Sequence, residues 1–215
     1  MPRARRQDST PRATASSPTQ GFNFTQRIRA VCADMIARLP ELAHIDLPRV
    51  AISFSQARKN VGHGLHATLT PMRFEEGRMW TERRGQRYTA QRLYDEDGQE
   101  YLYILSFYLP RFLNHTLDEK LTTILHELWH ISPTFDGDLR RHPGRCYVHS
   151  SSEREYDAAM ARLAQKWLAL EPPENVYGFL HLSFADLQRR YGKVVGTKIP
   201  NPRLIPYSAT DKATE

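Results

Sequence analysis

Residues 101–133 constrain the fold more tightly than any other stretch of the chain. The run from Tyr101 to Leu109 (YLYILSFYL) is the most hydrophobic in the sequence. It is short, aromatic-rich and bounded by Gly98 and Pro110, which reads as a central or well-covered strand. A helix follows at once. Thr116 with Glu119 three residues later is a capping box, and Asp118 adds negative charge near the positive helix end. Leu117, Leu121, Ile124, Leu125 and Leu128 form one apolar stripe. Pro133 stops the helix near His130.

The flanking elements complete an α+β pattern. Phe24, Ile28, Val31, Met35 and Leu39 recur at three- and four-residue steps, so residues 22–39 read as an amphipathic helix ended by Pro40. Residues 49–55 alternate Val50, Ile52 and Phe54, as a half-buried strand does. The stretch 56–67 (QARKNVGHGLHA) reads as a loop. Residues 65–74 and 78–94 fit strands of a small sheet, with turns at Glu76-Gly77 and Asp97-Gly98. A loop rich in Gly, Pro, Asp and Arg covers 132–150. A second helix runs from near Ser152 to Leu170, with Tyr156, Met160, Leu163, Trp167 and Leu170 as its stripe and Pro172-Pro173 as its stop. A short helix fits 184–191, followed by an irregular tail.

Composition narrows the class. With 40% hydrophobic and 25% charged residues, a disordered chain, a collagen and a coiled coil are excluded. No apolar run is long enough for a transmembrane helix, so no membrane partner is expected. Cys32 and Cys146 cannot form a disulfide scaffold, which favours a reducing, cytoplasmic setting. Cys32 reads as a small buried apolar residue on the first helix. The net charge is +6, and half of it lies in residues 1–20, where four arginines face Asp8. That segment has three prolines and almost nothing apolar, and reads as a disordered basic arm rather than a secretory signal. The expected organisation is this arm, one domain over 21–205, and a flexible tail over 206–215.

The capped helix carries His126-Glu127-Leu128-Trp129-His130, the H-E-x-x-H pattern. Residues four apart on a helix lie one turn above each other, so both imidazoles can reach one metal ion. Glu127 then stands beside that ion, where it can accept a proton from water. Zinc is the expected metal, being content with imidazole and able to keep an open position. The alternative, two structural histidines, does not account for the capped helix, the preceding strand and the ligand-rich loop that follows.

A third protein ligand is required. His142, Glu153, Asp136 and His149 compete, in that order. Asp136-Gly137 has an alternative reading as turn chemistry, and Glu153 as a first-turn helix acid. Cys146 is a weaker candidate.

The run HELWHISPTFDGDLRRHPGRCYVH resembles the phage-type metallopeptidases, which in turn resemble the SprT-like minimal zincin proteases. The order of helix, small mixed sheet, H-E-x-x-H helix and later helix extends that resemblance over about residues 22–205, and residues 121–149 carry its specific part. In the SprT-like pattern a histidine in an H-G-x-x-[FW]-like segment is the third ligand. The matching segment here is His142-Pro143-Gly144-Arg145-Cys146-Tyr147, with Pro143 placed before the glycine. The resemblance therefore implies a zincin-like α+β fold, a zinc held by His126, His130 and His142, and hydrolysis of a protein or peptide substrate. Glu127 would serve as general base. Tyr147, His149 and Tyr156 are the candidate oxyanion donors. In zincins an edge strand aligns the substrate by strand addition.

Two further features stand apart. His63 and His66 flank glycines and read first as a polar loop, with a second metal site as the alternative. Arg83, Arg84 and Arg87 with Trp80 and Tyr88 read first as a solvated basic strand face. The alternative is that this face and the basic arm contact nucleic acid, with the metal structural only. A protease acting on DNA-bound proteins would combine both readings, as the SprT-like resemblance implies.

Overall fold

The computed structural model describes residues 21–57, 64–141 and 153–207. A two-residue strand, β1 (Phe22–Asn23), leads into α1 (Phe24–Arg38), which Asn23 caps by accepting the Gln26 amide at 3.2 Å. Strands β2 (Val50–Gln56), β3 (Ala67–Pro71), β4 (Trp80–Arg83), β5 (Gln86–Ala90) and β6 (Tyr103–Leu109) follow. The second half contains α2 (Leu117–Trp129), α3 (Glu153–Ala169), α4 (Glu174–Tyr177), α5 (Phe184–Tyr191), β7 (Val194–Val195) and β8 (Leu204–Pro206). The mixed α+β class expected from the sequence is present, with five α-helices among the described residues.

The main sheet has the order β2-β6-β3. β6 is its central strand, as its apolar run predicts. It pairs in parallel with β2, from Val50 opposite Tyr103 to Gln56 opposite Leu109. It pairs antiparallel with β3, from Ala67 opposite Phe107 to Pro71 opposite Tyr103. One sheet face and the three long helices share a core built from residues such as Phe24, Met35, Phe107, Ile124, Leu128 and Trp167. Each fully buried leucine or isoleucine of α2 contributes about 1.5–3 kcal/mol by leaving water.

The alternation in β2 predicts one buried face, yet both faces are covered. Ala51 and Ser53 are as buried as Val50 and Ile52, because Met72 and Ile104 with Leu93, Tyr101 and Ile199 close the far side. The C-terminal segment also closes the outer edge of β2. Phe54 N–H donates to the Thr197 carbonyl at 3.1 Å, and Ile199 N–H to Ser53 Oγ at 2.9 Å. Among the described residues no strand pairs with the outer edge of β3.

A second sheet, β4-β5-β8, splits the segment 78–94 at Arg84-Gly85, whose φ values of 52° and 75° form a tight hairpin turn. The tail read as irregular supplies β7, paired with β1, and β8, paired with β5. β8 reaches past the domain end expected at 205. Leu170, expected in the α3 stripe, falls beyond the helix end and is exposed. Among the described residues no helix is long and apolar enough to cross a membrane.

Candidate metal centre

The start of α2 is firmly specified. Thr116 Oγ1 accepts the Glu119 amide at 3.3 Å, and Glu119 Oε2 accepts the Thr116 amide at 2.8 Å, which closes the expected capping box. Lys120, buried at 1% exposure, ties the middle of the helix down by donating to the carbonyls of Leu180 and Leu182 at 2.8 and 3.0 Å. Three turns in all bring the motif to the C-terminal end.

There the histidines stand as the spacing predicts. The rings of His126 and His130 lie 4.7 Å apart between centroids, at 83° to each other. Glu127 lies next to them and is buried. Burial pushes its carboxyl up to about 7, and the backbone amide of Leu69 on β3 pulls the other way.

α3 supports both imidazoles. The Tyr156 ring packs edge-on against His126 at 4.7 Å and stacks on His130 at 5.8 Å. Its hydroxyl donates to the His126 carbonyl at 3.4 Å. Burial and the nearby Glu127 push the Tyr156 hydroxyl up, so it keeps its proton. Asp157 Oδ1 lies 3.8 Å from His126 Nδ1, a carboxylate beside the nitrogen that would face away from a metal held at Nε2.

The end of the helix is held by Arg140. Its N–H donates to the His130 carbonyl at 2.7 Å, its Nε to the Trp129 carbonyl at 2.7 Å, and its guanidinium lies 4.3 Å from the Trp129 ring centroid. Trp129 is thus a packing residue. Tyr103 of β6 pins the loop that carries Arg140. Its hydroxyl donates to the Asp138 carbonyl at 2.9 Å and accepts the Gly137 amide at 3.0 Å.

A cleft of about 770 Å³ opens between α2, the start of β3 and α3, lined among others by His66, Ala67, His115, Glu119, His126, Glu127 and Asp157. Asp136 is not part of it. Its carboxylate accepts the Asp138 amide at 3.0 Å and the Thr134 hydroxyl at 2.8 Å, and Gly137 follows with φ 88°. The turn reading of Asp136 is the one this geometry supports.

Two imidazoles one turn apart supply two of the three protein ligands that a catalytic zinc takes. Among the described residues no group of three or more His, Cys, Asp or Glu is placed to hold a metal. His142, Cys146, Tyr147, His149 and the side chain of Glu153 lie outside the described residues, as does His63. Sequence reasoning missed Arg140 and the Leu69 amide. Neither carries a local signal, since each acts through a contact that only the folded chain creates.

No family model, curated protein or solved structure matches the chain.

Proposed function

We propose that the chain is a zinc-dependent peptidase of the SprT-like zincin type, with Glu127 as its general base. The observation that carries this reading is the placement of His126 and buried Glu127 on the wall of an open cleft, with His130 packed one turn behind His126. His126, His130 and, by the resemblance, His142 would hold the metal. Bound there, zinc supplies Lewis acidity, which activates water and polarises a carbonyl.

The chain's own groups account for the rest. Glu127 takes a proton from the attacking water and passes it to the leaving amine as the C–N bond breaks. The Tyr156 ring packs against His126, and Asp157 lies beside its Nδ1. β3 offers the docking edge. His66 accepts from the Tyr108 amide and the Met72 amide donates to Leu102, so the even-numbered residues face β6. Ala67 and Leu69 therefore turn their N–H and C=O groups away from β6; the Leu69 amide is taken by Glu127, so an extended peptide would pair with the Ala67 groups and the Leu69 carbonyl. β6 is internal to the sheet and offers no such edge.

The test is Glu127→Gln. Zinc content should stay at the wild-type level while hydrolysis of an unfolded protein substrate falls by about 10²–10⁴. A variant that hydrolyses at the wild-type rate, or that loses its metal, contradicts the assigned role.

A second reading rests on the small sheet. Arg83, Arg84, Gln86, Tyr88 and Leu204 line an open hollow of about 410 Å³, and Arg87 lies 4.0 Å from the Trp80 ring centroid. These groups suit contact with nucleic acid, either alone or in a protease for DNA-bound proteins. Affinity for single-stranded DNA should then fall steeply with salt, and a flat response removes the reading.

A further inference from the structure

We propose that His66 and His115 form a second cation site, for a divalent transition-metal ion of the zinc class, at the end of the cleft remote from His126. The two rings come from different elements, one at the start of β3 and one just before α2. Their centroids lie 4.0 Å apart at 65°. That is the same close, crossed arrangement as His126 and His130.

Each ring is prepared for a ligand by what its other atoms do. His115 Nδ1 lies 3.1 Å from Glu119 Oε2. An imidazole whose Nδ1–H is held by a carboxylate carries its lone pair on Nε2, which is how ligating histidines are oriented. His66 Nε2 is buried and, among the described residues, has no hydrogen-bond partner. A buried polar atom without a partner costs free energy, and an ion is one standard resolution. Burial, then His115 and Arg111 nearby, hold His66 below the usual imidazole pKa, and the neutral ring is the form that binds metal. Arg111 donates to the Leu65 carbonyl at 2.8 Å, and the Glu119 carboxylate opposes its effect on His66. Asp118 and Glu119 add further negative charge to this end of the cleft.

The site is separate from the H-E-x-x-H centre. His115 precedes His126 by eleven residues, a rise of about 16 Å along the helix axis. Metal pairs that share one reacting group stand about 3.5–4 Å apart. The second ion therefore ties the first strand of the cleft wall to the start of α2 and does not join the chemistry. It stands whether or not the chain is a peptidase.

The probe is zinc alone, titrated calorimetrically into the full chain carrying His126→Ala and His130→Ala, so that the first centre is silent. One equivalent should still bind. Adding His66→Ala or His115→Ala should weaken that binding at least about tenfold, and Glu119→Gln should weaken it about 10–100-fold, the usual effect of removing a carboxylate behind a ligating histidine. Glutamine preserves the capping box, so the last variant separates ion binding from helix stability. Absence of uptake by the silenced protein overturns the site. So does uptake that none of the three substitutions changes.

Discussion

Arg140 closes α2: its guanidine Nε reaches the carbonyl of the last helical residue, Trp129, and its amide reaches that of the cap residue His130, each at 2.7 Å. The motif histidine is therefore held from behind by a residue ten positions later. Arg140→Ala keeps the backbone bond but strands the Trp129 carbonyl and uncovers its ring. Unfolding in urea should show a loss of about 2 kcal/mol. Arg140→Lys should restore less than half of it, because an ammonium lacks the planar donor fork. Full rescue by lysine would mean that charge alone matters there.

The capping box gives a pH signature. Donation from the Thr116 amide and hydroxyl, with His115 alongside, holds the Glu119 carboxyl down at about 2 against an ordinary 4.5. Between those values the unfolded chain binds more protons than the folded one. The stability this carboxylate provides is therefore complete above about 4.5 and is lost as pH falls toward 2. Thr116→Ala should cost about 1 kcal/mol at neutral pH and shrink that acid-side loss. An unchanged stability profile in the variant would count against the cap.

Lys120 makes the opposite case. Burial lowers its ammonium to about 8 from an ordinary 10.5. The unfolded chain holds more protons across that window, so this group's contribution to stability grows as pH rises from 8 to 10.5. Lys120→Met should destabilise by about 2–4 kcal/mol, since it leaves the buried Leu180 carbonyl and that of Leu182 without their donor. The gap between wild type and variant should widen with pH. A gap that narrows would overturn the sign.

The third ligand has its own test. His142→Ala should sharply lower zinc content while Glu153→Ala leaves it intact. The reverse pattern would move the ligand to α3.

Where the sequence was informative, local rules sufficed. The α2 capping box, its apolar stripe and the one-turn spacing of His126 and His130 are all encoded within fifteen neighbouring residues. The central place of β6 follows from a run too apolar for an edge. What escaped depends on distant contacts. β7 has two residues, and β8 ends in Pro206, so neither offers a hydrophobic period to read. Lys120 sits one residue from the apolar stripe and reads as a solvated charge until two carbonyls sixty residues later are brought over it. His66 and His115 are far apart in sequence and meet only because β3 lies beside the start of α2.

The most direct measurement is zinc content by mass spectrometry on the purified wild type and on His126→Ala and His130→Ala, after dialysis against a weak chelator that strips two-histidine sites. The account predicts one equivalent in the wild type and none in either variant. A wild type that holds no zinc, and takes up none when zinc is supplied, would contradict it and leave the H-E-x-x-H helix as a packing element.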